Sequence, residues 1–179
     1  HKKPILEEVS FAVRNGSKLT LMGQNGAGKS SLFKLIMGEL TPQNGRVSVD
    51  HNGTVAIGRQ TIPRDQLGFT VEEFFAQFFT EKQWNLPKLI AEVLDAVNLS
   101  MPALDKKMNE FSGGQQARLL LASALIQNPD ILLLDEPTNN LGYEGIAHLT
   151  SFLISYEKTV LVISHDADFL NAFTHGVLY

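Results

Sequence analysis

Residues Gly23-Gln24-Asn25-Gly26-Ala27-Gly28-Lys29-Ser30 fit G-x-x-x-x-G-K-[ST], a spacing that carries a specific chemistry. Glycines let a loop curl so that successive backbone N–H groups point inward, and the N-terminus of the helix that follows adds to the positive field. Such a loop cradles phosphates. Lys29 supplies a mobile positive charge for the β and γ phosphates, and the Ser30 hydroxyl is a ligand for Mg²⁺. A second set of residues, Ile131-Leu132-Leu133-Leu134-Asp135-Glu136, is a buried apolar strand ending in two carboxylates. Acids at that end of a strand lie at the sheet rim where α/β proteins bind ligands, so Asp135 is expected to hold Mg²⁺ through water and Glu136 to polarise an attacking water. A third, Phe111-Ser112-Gly113-Gly114-Gln115, opens a helix with a hydroxyl and free N–H groups that suit an anion or a simple cap.

These groups work only if elements hold them. Lys18 to Met22 reads as a short strand running into the glycine loop, and Ser30 to Met37 as a helix stopped by Gly38. Upstream, Val9 to Val13 alternates and Asn15-Gly16 is a turn signal, which predicts a hairpin. Arg46 to Val49 and Thr54 to Ile57 flank His51-Asn52-Gly53 and predict another. The middle third turns helical: Thr70 and Glu73 fit a capping box, Phe74, Phe75, Phe78 and Phe79 share one face, and a second helix runs from about Leu89 to Val97 after Pro87. That phenylalanine stripe reads as the core of a helical subdomain; with Phe69 and Trp84 it would otherwise line a groove for a partner helix. Ser112 and Gln115 cap a helix through about Ile126, and a helix around Glu144 to Ser155 precedes a final β-branched strand, Thr159 to Ser164. The whole predicts an α/β fold, a mainly parallel sheet core carrying an antiparallel β subdomain and a helical subdomain over about 65–110.

Composition agrees with a folded domain. The 179 residues hold 44% hydrophobic and 19% charged side chains and no cysteine, which excludes disordered, collagenous and disulfide-stapled classes. A net charge of -4 gives the whole chain no steering toward nucleic acid. No apolar run, Ile131 to Leu134 included, is longer than four residues, far short of the roughly 20 residues of a membrane span, so direct membrane insertion is not expected and a cytoplasmic location is. The opening at His1 and the β-prone Val177-Leu178-Tyr179 at the other end suggest one domain excerpted from a longer chain.

Read in order, GQNGAGKSS, Gln60, FSGGQQAR, ILLLDEPTNNL and VLVISHD resemble the nucleotide-binding domain of ABC-type ATPases over essentially all of 1–179. The resemblance implies a P-loop NTPase fold whose helical subdomain is inserted between the Q-loop and the signature. It implies nucleotide binding by Gly23, Gln24, Asn25, Gly26, Ala27, Gly28, Lys29, Ser30 and Ser31, with ATP and Mg²⁺ as ligands. It makes Gln60 the Q-loop glutamine that touches Mg²⁺ and the water, and His165 the switch histidine that contacts the γ-phosphate. Glu136, His165 and Gln60 then form the catalytic set, and Ser30, Gln60 and Asp135 the metal set. In this family Ser112, Gly113, Gly114 and Gln115 act in trans, on ATP held by a second ABC domain, so one copy carries two half-sites that close when two domains pair head to tail.

DEPTNNL and SHDADFL resemble the ABC-F branch, ATPases that act on ribosomes, and the stretch from Gln60 to Ser112 is long enough for a compact helical subdomain without an added arm. The alternatives are a domain powering an ABC membrane transporter, with a membrane-domain partner, and a nucleotide-gated binding module with little turnover. Three positions depart from the pattern: Gly142 stands where the family usually has an aspartate in the D-loop, Ala167 replaces an arginine common in ABC-F endings, and no aromatic precedes Pro4 to stack on adenine.

Overall fold

A computed structural model describes residues 11–22, 28–49 and 53–178. Five strands, β1 (Lys18–Leu21), β2 (Val55–Gly58), β3 (Ile131–Asp135), β4 (Thr159–Ile163) and β5 (Gly176–Leu178), form one sheet in the order β2-β3-β4-β1-β5. Every pair is parallel, with Leu132 opposite Val160 and Leu19 opposite Leu161. The central strands are apolar on both faces, as a sheet covered by helices on each side demands. All five residues of β4 and the middle three of β3 are buried.

The helices are α1 (Lys29–Ile36), α2 (Val71–Ala76), α3 (Leu86–Ala96), α4 (Gly113–Ile126), α5 (Gly142–Ser155) and α6 (Ala167–Phe173). One face of the sheet packs Leu21, Leu133, Leu161 and Ile163 on Leu32 and Phe33 of α1. Leu132, Leu134, Val160 and Val162 join the larger core of α2 to α6. Residues Leu119 to Ile126 of α4 are all buried, because this helix is enclosed between sheet and helical segment.

At the amino end of the sheet the Asp130 carboxylate accepts the Thr54 N–H at 2.9 Å and lies 3.4 Å from Lys158 Nζ. The Thr54 hydrogen bond holds the Asp130 carboxyl below the usual carboxylate range. This clip sets β2 against β3 at the end opposite the candidate site.

The helical segment is built as its sequence predicts. Thr70 Oγ1 accepts the Glu73 N–H at 3.2 Å while Glu73 accepts the Thr70 N–H at 3.0 Å, a complete capping box. Phe74 and Phe75 are buried, and Phe74 meets Phe75 and Phe78 edge to face at 5.4 and 5.6 Å. The stripe is therefore core. Trp84 is outside it, 88% exposed with Lys82 Nζ 5.0 Å above its ring.

The structure differs from the sequence reading at three points. Among the described residues the antiparallel pairing is an isolated bridge between Thr70 and Lys107, and part of the expected antiparallel β subdomain lies outside the described residues. Residues 11–13 and 46–49 hold no strand, and β2 joins β3 in parallel instead of folding back in a hairpin. The reason is burial: Ala56 and Gly58 sit inside, where a Cβ on Gly58 would touch Leu121 at 3.5 Å and Leu134 at 3.6 Å, while 46–49 lies near the surface. Val9, Ser10, Asp50, His51 and Asn52 lie outside the described residues. Second, α3 begins at Leu86, with Pro87 in its first turn, where a missing N–H costs no hydrogen bond. Third, α6 was not expected; Asp166 caps it by accepting the Phe169 N–H at 2.9 Å.

Candidate functional site

A parallel sheet puts the carboxyl ends of all its strands on one edge, and the chemistry-bearing residues collect there. Leaving β1, the chain passes through Gly23, Gln24, Asn25, Gly26 and Ala27, which lie outside the described residues, and re-enters at Gly28. Gly28 has φ +88°, a left-handed conformation that glycine adopts without strain, and from it α1 starts with Lys29, Ser30 and Ser31. The Ser30 hydroxyl donates to Asp135 Oδ2 at 3.2 Å, linking the first turn of α1 to the end of β3.

Burial pushes the Asp135 carboxyl up, reinforced by the neighbouring Glu136 and opposed by the Ser30 hydrogen bond and the charge of Lys29. A carboxylate beside a hydroxyl, both oxygen donors, is a donor set that fits Mg²⁺, a hard cation that takes one or two protein oxygens and fills its remaining positions with water and phosphate. Among the described residues no group of three or more His, Cys, Asp and Glu is placed to hold a metal.

Glu136 follows at once. Its φ is +47°, and its N–H bonds Ile163 O at 2.8 Å, extending the β3–β4 ladder by one residue before the chain turns away. A left-handed residue other than glycine, asparagine or aspartate is uncommon, and such strain collects at functional sites. The turn brings the Glu136 carboxylate to His165, two residues past β4: the Nδ1 of His165 contacts Oε1 and its backbone N–H donates to Oε2 at 3.3 Å. The Glu136 side chain is 18% exposed and that of His165 67%, so an anion anchored in the rim carries an imidazole that faces solvent. Gln60, two residues beyond β2, is exposed at the same edge. His148 and His175 are exposed and elsewhere.

Ser112 to Gln115 are gathered at the start of α4 and are apart from this cluster in their hydrogen bonding. Ser112 Oγ accepts the Gln115 N–H at 3.2 Å and Gln115 Oε1 accepts the Ser112 N–H at 3.0 Å, while Ser112 and Gly113 are exposed. The serine caps its helix, which is the simpler of the two readings of the motif. Sequence reasoning passed over Arg118, which bonds the carbonyls of Asn98 and Leu141 at 2.7 Å each. Arg118 stands out in the sequence as the lone charge ahead of an apolar run, but its backbone partners do not.

Fold and site together define a P-loop nucleotide-binding α/β domain. The sequence model of the ABC transporter family matches residues 6–139, and the chain belongs to that family. It is 31% identical over 203 residues to the uncharacterized ABC transporter ATP-binding protein YkpA of Bacillus subtilis, covering 94% of this chain and 38% of YkpA. The probable ATP-binding protein YheS of Haemophilus influenzae is also 31% identical, over 98% of this chain and 32% of its own. The chain thus spans about a third of these curated relatives. Among solved structures, the ABC transporter cassette MJ0796, described as dimeric, superposes with TM-score 0.80 at 25% identity over 94% of this chain and 83% of its own. The sheet and helices are those of ABC ATPase cassettes, and no described helix is long and apolar enough to cross a membrane.

Proposed function

We propose that residues 1–179 form a single ABC nucleotide-binding domain that pairs head to tail with a second ABC domain around ATP and Mg²⁺, hydrolyses the ATP and thereby drives a conformational cycle. The observation that carries this reading is the rim cluster: Ser30 bonded to Asp135, and Glu136 bonded to His165, on adjoining strand ends. Phosphoryl transfer asks a protein mainly for positioning and charge neutralisation; these residues supply positioning, and the neighbouring Lys29 supplies positive charge.

In this reading Gly23 to Ser31 and the N-terminus of α1 hold the phosphates, Lys29 neutralises β and γ oxygens, and Ser30, Asp135 and Gln60 are the protein groups toward Mg²⁺. Mg²⁺, when bound, neutralises the charge that develops on the phosphate oxygens. Glu136 orients the attacking water and accepts its proton, and His165, held by Glu136, approaches the γ-phosphate. Ser112 to Gln115 serve the ATP of the second domain, consistent with the exposure of Ser112 and Gly113 and with the dimeric state named for the MJ0796 cassette.

The likeness of DEPTNNL and SHDADFL to the ABC-F branch favours a ribosome-associated, cytoplasmic protein. The competing reading, a motor domain of a membrane transporter, draws on the name of YkpA; the burial of Phe74 and Phe75 in the subdomain core removes those two from any partner groove. Low turnover, suggested by Gly142, is opposed by the intact Glu136–His165 pair.

Steady-state ATPase activity measured with Mg²⁺ over a wide range of protein concentration tests the proposal, beside Glu136→Gln run by size exclusion with ATP. Specific activity that rises with concentration, and an ATP-dependent dimer of the variant, are expected. Activity independent of concentration, or rapid hydrolysis by Glu136→Gln, would refute it.

A further inference from the structure

Arg118 is the single charged side chain of α4 and reaches to two other elements. Its Nη1 donates to Asn98 O, just past the end of α3, and its Nη2 to Leu141 O, just before α5, each at 2.7 Å. Both acceptors are in irregular backbone that the guanidinium helps to fix. Asn98 is left-handed at φ +54°, and Leu141 stands between Asn140 at φ +66° and Gly142 at φ +68°. The packing leaves room for this contact: Gly145 is buried, and a Cβ there would meet Leu141 Cβ at 3.0 Å and Arg118 Nη2 at 3.8 Å. A Cβ on Gly114 would lie 3.8 Å from Asn140 O, so the turn at 139–142 rests along the first turns of α4.

A planar guanidinium with a fixed fork of donors can hold two carbonyls in one relative position; an ammonium cannot span both in the same way. We propose that Arg118 is a positioning residue that clamps the end of α3 to the turn carrying Gly142 and Tyr143, so that helical subdomain and D-loop move as one body with the signature helix. Tyr143, in the first turn of α5 directly after that turn, is 90% exposed, and the clamp sets how it is presented to a second domain. That consequence rests on the pairing proposed above; the clamp itself does not.

Hydrogen exchange of the nucleotide-free Glu136→Gln chain, with Arg118→Met and Arg118→Lys added separately, reads the clamp directly. The reporting amides are those of Asn98 and Leu99, bonded to Asp95 O and Leu94 O, and of Asn139 and Leu141, bonded to Glu136 O and Thr138 O. Arg118→Met is expected to speed exchange in both segments about tenfold, the factor that losing one charge-assisted hydrogen bond implies, with α2 unchanged. Arg118→Lys restores one segment and not both. For Arg118→Met, faster exchange in one segment only or throughout the chain overturns the clamp, and so does full rescue by lysine; if Arg118→Met does not fold, the lysine variant decides it, faster exchange confined to one of the two segments supporting the clamp and parental exchange in both overturning it.

ATP-dependent pairing is then measured on the same proteins. Arg118→Met should weaken pairing about tenfold while ATP affinity of the monomer is unchanged, whereas a merely structural arginine would change both or neither. Undiminished pairing with loosened segments overturns the positioning role. If the Glu136→Gln parent binds ATP and never pairs, it is the proposed function that fails, and the clamp stands or falls on exchange.

Discussion

Glu136 and His165 are bonded twice, through the imidazole Nδ1 and, at 3.3 Å, through the backbone N–H of His165. The backbone contact survives any change of the histidine side chain, so the two bonds can be separated. With His165→Ala, the anion of Glu136 stays anchored while the imidazole is lost. Turnover is expected to fall about 10²-fold, the lower range for a lost proton-handling group, with ATP affinity changed far less. Single-turnover hydrolysis beside equilibrium binding separates the two effects. Equal losses in both would make His165 a binding group instead.

Lys29 opens α1 beside Ser30 and lowers the cost of charge on Asp135. Removing its ammonium takes away a charge-assisted contact to phosphate, so Lys29→Ala should weaken ATP binding by about 10- to 100-fold. Titration with a non-hydrolysable ATP analogue measures this. Unchanged affinity would contradict the phosphate-loop assignment.

Asp135 gives a prediction with a definite pH sign. Burial raises its folded-state pKa above the ordinary 3.8, so the unfolded chain ionises more readily and the ionised form is the one folding disfavours. No penalty exists below pH 3.8; it grows as pH rises through the folded value and is then constant. Asp135→Asn, which can still accept the Ser30 hydroxyl, should therefore raise Tm of the nucleotide-free chain at pH 7. The gain should shrink as pH falls toward 3.8. The same variant should lose the Mg²⁺ dependence of ATP binding. A lower Tm at pH 7 would mean that the Ser30 and Lys29 contacts outweigh burial.

Local chemistry was the legible part of the sequence. Thr70 with Glu73 and Ser112 with Gln115 announce capping boxes because cap and partner are three residues apart, and Ile131 to Leu134 announces a doubly covered strand because no polar residue interrupts it. Partner choice was not legible in the same way. Thr54 to Ile57 follows the turn signal His51-Asn52-Gly53 as a hairpin strand would, whereas the parallel pairing of β2 with β3 packs Gly58 against Leu121 and Leu134, distant in sequence. The meeting of Glu136 with His165 could be expected from two separate motifs, but its geometry depends on the left-handed turn at Glu136, which no side-chain pattern encodes. Arg118 was missed for a related reason: its partners are backbone carbonyls, and a carbonyl has no residue type.

Ser112 separates binding from pairing. Its hydroxyl is occupied within its own chain, accepting the Gln115 N–H, and the residue is exposed at the start of α4. Ser112→Arg removes the cap, at about 1 kcal/mol, and places a long cationic side chain on the surface proposed to meet a second domain. In a domain of this size that cost lowers Tm by about 2–4 °C, which leaves the chain folded at room temperature. No hydrogen bond joins Ser112 to Lys29, Ser30 or Asp135 among the described residues, so ATP affinity of the monomer should be that of the parent. Added to the Glu136→Gln chain, the substitution should abolish the ATP-dependent dimer seen by size exclusion. A dimer that survives would show that the surface at Ser112 is not where the domains meet; a dimer lost together with ATP binding would show that Ser112 serves the nucleotide site of its own chain.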